Sequence, residues 1–306
     1  MGGYPLVIKE NPLEFTGENI MLTIIIINYK DEDRTIRFVK EEVSKITTPH
    51  AVIIVNNGST TESSQNLHSE LTSCVIIDST ENLGFAKGNN LGAEYAKKNI
   101  FRSIGTEDFL LFSNSDIKFN DNNVAEALID RISSLPYTAV IGPKIIGLDG
   151  RLQSPFPFQT FMDRHFWIYW GNLFMNKKKK AERLGLDYSE HAQEGYHYWV
   201  SGSFFLMRAK DFYDCGEMDP ATFLYCEEPI LSERLKKIGR KVYYYPAVSV
   251  IHEHGVTTTK THNRQNLRKY TLQSEFYYYK KYIGTPQWQI ALAKFTYWLK
   301  GLLGRL

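Results

Sequence analysis

The chain has 306 residues, 43% hydrophobic and 23% charged, an ordinary globular composition that suffices for one large α/β domain with an appendage or for two modest domains. Cys74, Cys215 and Cys226 are odd in number and lack metal-type spacing, which argues against a disulfide framework or a zinc ribbon and fits a reducing cytosol. The net charge of +2 hides an asymmetry: residues 256–306 carry nine Lys and Arg and ten aromatics against one acid, Glu275, so a basic aromatic tail follows an acidic body.

Residues 1–20, with Pro5, Pro12 and Gly17, read as an irregular arm with a short strand at 6–8. There is no basic region followed by an apolar one, and the run 20–27 is too short to cross a bilayer, so neither a signal peptide nor a spanning helix is expected. Residues 22–27 are aliphatic and β-branched, the pattern of a central strand, and they stop at Asn28-Tyr29. A helix over 33–46 and a strand over 52–55 complete a βαβ unit that runs into Asn56-Asn57-Gly58-Ser59. A short helix at 65–71 and a strand at 74–77 follow. The glycines and asparagines of residues 82–90 then read as an open turn before a helix at 91–98, where backbone N–H groups approach a ligand or simply start a capped helix. The spacing matches neither the Gly-x-Gly-x-x-Gly fingerprint nor a phosphate loop ending in Gly-Lys-Ser/Thr.

Residues 109–112, Phe-Leu-Leu-Phe, form a buried parallel-type strand that ends abruptly in Ser113-Asn114-Ser115-Asp116. Ligands of open α/β sheets bind beyond such carboxyl ends, which makes Asp116 a candidate for chemistry, although these residues alone fit a polar turn equally well. A helix at 124–132 and a strand at 139–146 interrupted by Gly142-Pro143 come next. Residues 147–194 read as an irregular loop or lid whose Lys177–Lys180 run suits a solvated face better than a phosphate site. Gly202, inside a strand-like stretch at 199–208, marks a place where something packs closely. Pro229 starts a helix at 229–238, putting Glu227 and Glu228 at its N-terminus as caps or as ionised bases. Two short strands, 243–245 and 248–251, flank Pro246, and the second ends at His252, at the sheet edge that carries Asp116; such a lone histidine is either structural or a metal ligand.

Five ordered blocks stand out between residues 22 and 255: Ile24-Ile-Ile-Ile-Asn-Tyr, Val55-Asn-Asn-Gly-Ser, Asn82-Leu-Gly-Phe-Ala-Lys-Gly-Asn-Asn, Leu110-Leu-Phe-Ser-Asn-Ser-Asp, and Phe223-Leu-Tyr-Cys-Glu-Glu with His252 after it. Together they resemble the family 2 glycosyltransferases of the GT-A fold, an α/β fold with a mostly parallel central sheet flanked by helices. Within that family they resemble the bacterial rhamnosyl- and galactosyltransferase-like group. The resemblance implies an arm at 1–20, a catalytic domain at 21–255 and a helical tail at 256–306. It implies a nucleotide-sugar donor bound by Asn28, Asn56, Asn57, Gly84, Gly88, Asn89, Asn114 and Asp116. Mg²⁺ or Mn²⁺ would sit on Asp116 and His252, and Glu228, or its neighbour Glu227, would be the catalytic base. The chain departs from the family pattern at Asn56 and Asn114, where acids are usual, and at Glu228, where the pair normally ends in Asp.

The activity so implied is inverting transfer of a sugar to a glycan or polyprenyl-linked acceptor in surface polysaccharide synthesis. A sugar nucleotidyltransferase would place a Gly-rich basic loop after the first strand, and Asn28-Tyr29-Lys30-Asp31 is not one. A catalytically inert glycan-assembly subunit is the rival from another class. No nucleic-acid role is expected, because only the tail would support it. In that tail Trp288, Leu292, Phe295, Leu299 and Leu302 fall on one helical stripe, which suits docking on the inner face of the plasma membrane or packing on the catalytic domain or a second copy of the chain.

Overall fold

The structure, a computed structural model, describes residues 7–9, 22–101, 103–253 and 264–303. Most of the arm, the tail segment 254–263 and the side chains of Leu299 and Leu302 therefore lie outside the described residues. In chain order the first half contains β1 (Val7–Lys9), β2 (Leu22–Asn28), α1 (Glu32–Glu41), β3 (His50–Asn57), α2 (Thr61–Glu70), β4 (Val75–Ser79), α3 (Gly84–Asn99), β5 (Phe109–Ser113), β6 (Ile117–Phe119), α4 (Val124–Ser133) and β7 (Thr138–Gly147). There follow α5 (Ile168–Trp170), α6 (Lys177–Leu184), α7 (Tyr188–His191), β8 (Gly195–His197), β9 (Phe204–Arg208), α8 (Ala209–Asp214), α9 (Glu227–Lys237), β10 (Lys241–His252), α10 (Arg264–Lys281) and α11 (Gln287–Leu303).

One sheet of ten strands, in the order β1-β4-β3-β2-β5-β9-β7-β10-β6 with β8 on β10, runs through the molecule. Strands β4, β3, β2 and β5 are parallel, whereas β9 lies antiparallel to both β5 and β7. The period of two in a strand divides the isoleucine run of β2 between two cores. Ile24 and Ile26 join the cluster under α1, α2 and α4, and Ile25 joins the one under α3, α8 and α9. Both layers are fully buried, and each such side chain contributes about 1.5–3 kcal/mol. No helix among the described residues is long and apolar enough to cross a membrane.

Several expectations change. The stretch 82–90 is not an open turn: α3 begins at Gly84, and Gly88 and Gly92 sit within it facing the sheet. A Cβ at those positions would stand 3.0 Å from Ile27 Cδ1 and 2.7 Å from Ile25 Cγ2, so these glycines let the helix lie close on β2. The two short strands around Pro246 are one strand, because a register shift against β7 between Tyr245 and Ser249 absorbs the proline. Nor is β7 broken at Gly142-Pro143. The region 147–194 contains three short helices, α5 to α7, instead of an irregular loop. Within the stretch read as a strand at 199–208, β9 starts only at Phe204.

Candidate active site

At the carboxyl ends of β2, β3 and β5 lies a cavity of about 720 Å³. Tyr29, Asn57 and Gly84 line one side, Asn114, Asp116 and His252 its middle, and Glu227 and Glu228 the start of α9. The far wall comes from residues 156–186 and from α10, through Leu267, Thr271, Glu275, Tyr278 and Tyr279. The tail thus forms part of the site.

Asp116 and His252 meet because of sheet register. Asp116 occupies the turn between β5 and β6, and β6 crosses to the end of β10 so that Ile117 pairs with His252. Asp116 Oδ1 stands 3.2 Å from His252 Nε2, with the two side chains 13% and 6% exposed. Gln153 Oε1 accepts from His252 Nδ1–H at 2.7 Å, which turns Nε2 toward the carboxylate. On the other side Arg34 Nη1 is 3.9 Å from Asp116 Oδ2. Burial acts to raise the Asp116 pKa, but the hydrogen bond and charge of His252 and the Arg34 guanidinium outweigh it and hold the carboxyl below its usual range. An ionised carboxylate oxygen and, once Nε2 gives up its proton, an imidazole nitrogen, adjacent and oriented, would suit a divalent cation. Among the described residues no group of three or more His, Cys, Asp or Glu is arranged to hold a metal by itself.

The two glutamates differ. Glu228 Oε1 accepts from the Gly202 backbone N–H at 2.8 Å, and a Cβ on Gly202 would stand 2.5 Å from that same oxygen. Gly202 is the close approach its sequence context suggested. Glu227 is buried, and its Oε1 has no hydrogen-bond partner among the described residues. Burial, and then the negative charge of Glu228, push the Glu227 pKa up. Burial also raises that of Glu228, against the opposing pull of its own and the Gly202 N–H groups. Ahead of them Tyr225 and Cys226 hold positive φ of 74° and 67°, a strained pair that turns the chain into α9.

A model of the family described as glycosyl transferase family 2 matches residues 23–212. The chain belongs to glycosyltransferase family 2. Among its relatives, the N-acetylglucosaminyl-diphospho-decaprenol L-rhamnosyltransferase of Mycobacterium tuberculosis is 25% identical over 247 residues, which cover 78% of each chain. Rhamnosyltransferase WbbL of Escherichia coli is 28% identical over 169 residues, 55% of this chain and 60% of WbbL. In fold, the chain resembles a crystal structure of GalNAc-T7 with UDP, GalNAc and Mn²⁺, with a TM-score of 0.52 and 15% identity over 76% of this chain and 44% of that one. The fold is GT-A.

This family 2 glycosyltransferase arranges its expected donor residues in two ways. Asn57, Gly84, Asn114 and Asp116 line the cavity, whereas Asn28 and Asn56 lie behind its wall, 0% and 1% exposed. The register that pairs Asn28 with Asn56 and Asn56 with Asp78 explains their place. Asn28 Nδ2 donates to Asn56 Oδ1 at 2.9 Å, and Asn56 Nδ2 donates to Asp78 Oδ1 at 2.7 Å, so they form a hydrogen-bonded polar row behind the cavity. Asn57, although only 3% exposed, does line the cavity: its Oδ1 accepts from the Leu83 N–H at 2.6 Å and fixes the start of α3. Gly88 and Asn89 are buried in α3, the latter donating to Phe85 O at 3.1 Å. Gly84, at φ +76°, lets the loop before α9 approach, since a Cβ there would stand 2.3 Å from Phe223 O.

Sequence reasoning missed Arg34, Gln153, Asp78 and the aromatic wall. Phe156 and Trp199 stack at 3.9 Å between ring centroids and an interplanar angle of 14°, and both line the cavity. No local signal joins two aromatics so far apart in the chain. Asp219 was also missed. Its Oδ2 accepts from Tyr277 and Tyr282 hydroxyls at 2.7 and 2.5 Å and from Lys281 Nζ at 3.0 Å, with Arg234 Nη2 at 3.3 Å, which fastens α10 to the body.

Proposed function

We propose that this chain is an inverting, metal-dependent hexosyltransferase that moves a sugar from a nucleotide-diphosphate sugar to a hydroxyl of a glycan or lipid-linked acceptor, in bacterial surface polysaccharide synthesis. The observation that carries the reading is that Glu228, fixed by the Gly202 N–H, lines the same cavity as the Asp116–His252 pair. Asn57 and Gly84 offer the donor nucleotide its side of the cavity, and Asp116 and His252 face its diphosphate. A Mg²⁺ or Mn²⁺ ion held by those two residues would supply positive charge to the leaving diphosphate. Glu228, presenting its second oxygen, takes the proton of the acceptor hydroxyl, which gives single displacement with inversion. Binding of both substrates in one cavity supplies orientation. The stacked Phe156 and Trp199 offer a flat apolar face suited to a sugar ring.

A membrane-bound place of work on the inner face of the plasma membrane, by peripheral contact, accords with this reading. Ile290, Ala293 and Thr296 of α11 are buried, while Trp288, Phe295 and Trp298 on the opposite face are 62%, 54% and 59% exposed. The relative from M. tuberculosis is named for a diphospho-decaprenol substrate, which favours a lipid-linked acceptor here. The test is to screen the purified chain for release of nucleotide diphosphate from a panel of sugar nucleotides, with Mn²⁺ and with chelator. Release that needs both metal and acceptor supports the reading. No release or transfer from any donor favours an inert assembly subunit, consistent with Asn56 and Asn114 standing where the family carries acids.

A further inference from the structure

We propose that the segment between β7 and β8 is a second membrane-contacting element, in which Leu173, Phe174 and the lysines opening α6 dock on an anionic bilayer. The proposal deepens the reading above and rests on it for the location of the bilayer. Leu173 and Phe174 are 71% and 68% exposed at the end of an ordered turn. Immediately after them, α6 opens with Lys177, Lys178, Lys179 and Lys180 and no acid in its first turn. Cations there oppose the helix dipole, which favours negative charge at an N-terminus. The backbone forms the helix nonetheless, with Asn176 Oδ1 accepting from Lys179 N at 2.9 Å. A sequence that breaks a local electrostatic rule on an exposed surface points to compensation from outside, and an anionic headgroup layer supplies it.

The segment is braced against the packed side of α11. The Tyr169 ring meets that of Tyr297 at 5.8 Å, and His165 Nδ1 lies 2.7 Å from the Tyr297 hydroxyl. Tyr297 adjoins Trp298 in α11, while Trp167, two residues before Tyr169, packs against Phe174 at 5.8 Å. The Lys180 stem is packed as well, since its Cδ lies 3.3 Å from where a Gly171 Cβ would be. At its other end α6 delivers Leu184, Gly185 and Leu186 to the cavity wall, about 12 Å away at the rise of an α-helix. One short helix therefore joins the charged surface to the site in which an acceptor would be glycosylated.

The test is flotation of the full chain with vesicles of phosphatidylglycerol and phosphatidylethanolamine, and with vesicles of phosphatidylcholine alone. Two variants are compared with the unmodified chain: Lys177→Ala/Lys178→Ala/Lys179→Ala, and Leu173→Ser/Phe174→Ser. All these side chains are exposed and outside the cavity lining. The lysine variant should lose about tenfold or more of its partitioning onto the anionic vesicles and little onto the neutral ones. The apolar variant should lose partitioning onto both. Unchanged flotation of both variants overturns the proposal. So does a change in self-association in vesicle-free sedimentation with flotation unaltered, which would assign the surface to a second copy of the chain. Calorimetry of nucleotide diphosphates with Mn²⁺ on the same proteins separates the two readings: absence of any nucleotide binding would count against the transferase reading, while the flotation result would stand.

Discussion

Replacing Glu228 by glutamine should stop turnover while leaving the cavity intact. The anchored Oε1 accepts a single bond from Gly202 N–H at 2.8 Å, and a glutamine carbonyl accepts the same bond, so the side chain keeps its pose. What disappears is the second oxygen as a proton acceptor. General-base catalysis is worth about 10²–10⁴ in rate, or roughly 3–5 kcal/mol in the barrier, and the loss should fall on kcat. Donor affinity, measured by calorimetry, should stay within about twofold, because the role proposed for the carboxylate is on the acceptor. Burial raises the Glu228 pKa above 4.5, so activity should rise with pH on a limb displaced upward from an ordinary glutamate, and Glu228→Gln should abolish that limb. Gly202→Ala gives an independent check: its Cβ would stand 2.5 Å from Oε1, so the variant should lose kcat in the same way with the carboxylate still present. Glu227→Gln should cost much less, since burial and the neighbouring charge favour a protonated Glu227. Full activity in Glu228→Gln together with a dead Glu227→Gln would refute the assignment.

Three further outcomes follow from the same geometry. Asp116→Ala should abolish metal-dependent binding of a nucleotide diphosphate with the thermal melt preserved; unchanged affinity in calorimetry with Mn²⁺ would remove its role. Asp219→Asn should destabilise the protein by about 2–4 kcal/mol in urea, because a buried charge with several donors is lost. Burial acts to raise the Asp219 pKa, but the hydroxyls of Tyr282 and Tyr277, the Ala221 N–H and Lys281 outweigh it, so its contribution is present above the unfolded-state carboxylate pKa, is lost as pH falls through the depressed folded value, and should be missing from the acid limb of the mutant. Trp288→Ser/Phe295→Ser/Trp298→Ser should reduce flotation on anionic vesicles without lowering the melting temperature, as the packed face of α11 is untouched.

The central strands and the place of Asp116 at a cavity were legible because each apolar run stops at a polar cluster, which the parallel sheet brings to one edge. The pairing of Asp116 with His252 was legible as a shared edge but not as a contact. It depends on β6 crossing to β10, a long-range register that short sequence patterns do not encode. Asn28 and Asn56 were expected at the donor from the family resemblance, yet their side chains are engaged by cross-strand partners. Gly88 was read as giving room to a ligand when it gives room to Ile27, since a glycine's spacing does not reveal what approaches it. The helices of 163–191 escaped notice because their lysines and aromatics carry no regular apolar stripe.

The attachment of α10 at Asp219 also bears on how the site comes into being during synthesis. Asn57, Asp116, Glu228 and His252 all precede α10 in the chain, whereas Tyr278 and Tyr279, which close the far wall, emerge from the ribosome afterwards. Folding proceeds from the N-terminal side as the chain is made, so the strand-end lining of the cavity can be in place before α10 exists. Until Tyr277 and Lys281 are made, Asp219 lacks two of the donors that later fasten α10 to the body. A nascent chain caught at that stage would leave the cavity open where Tyr278 and Tyr279 later stand.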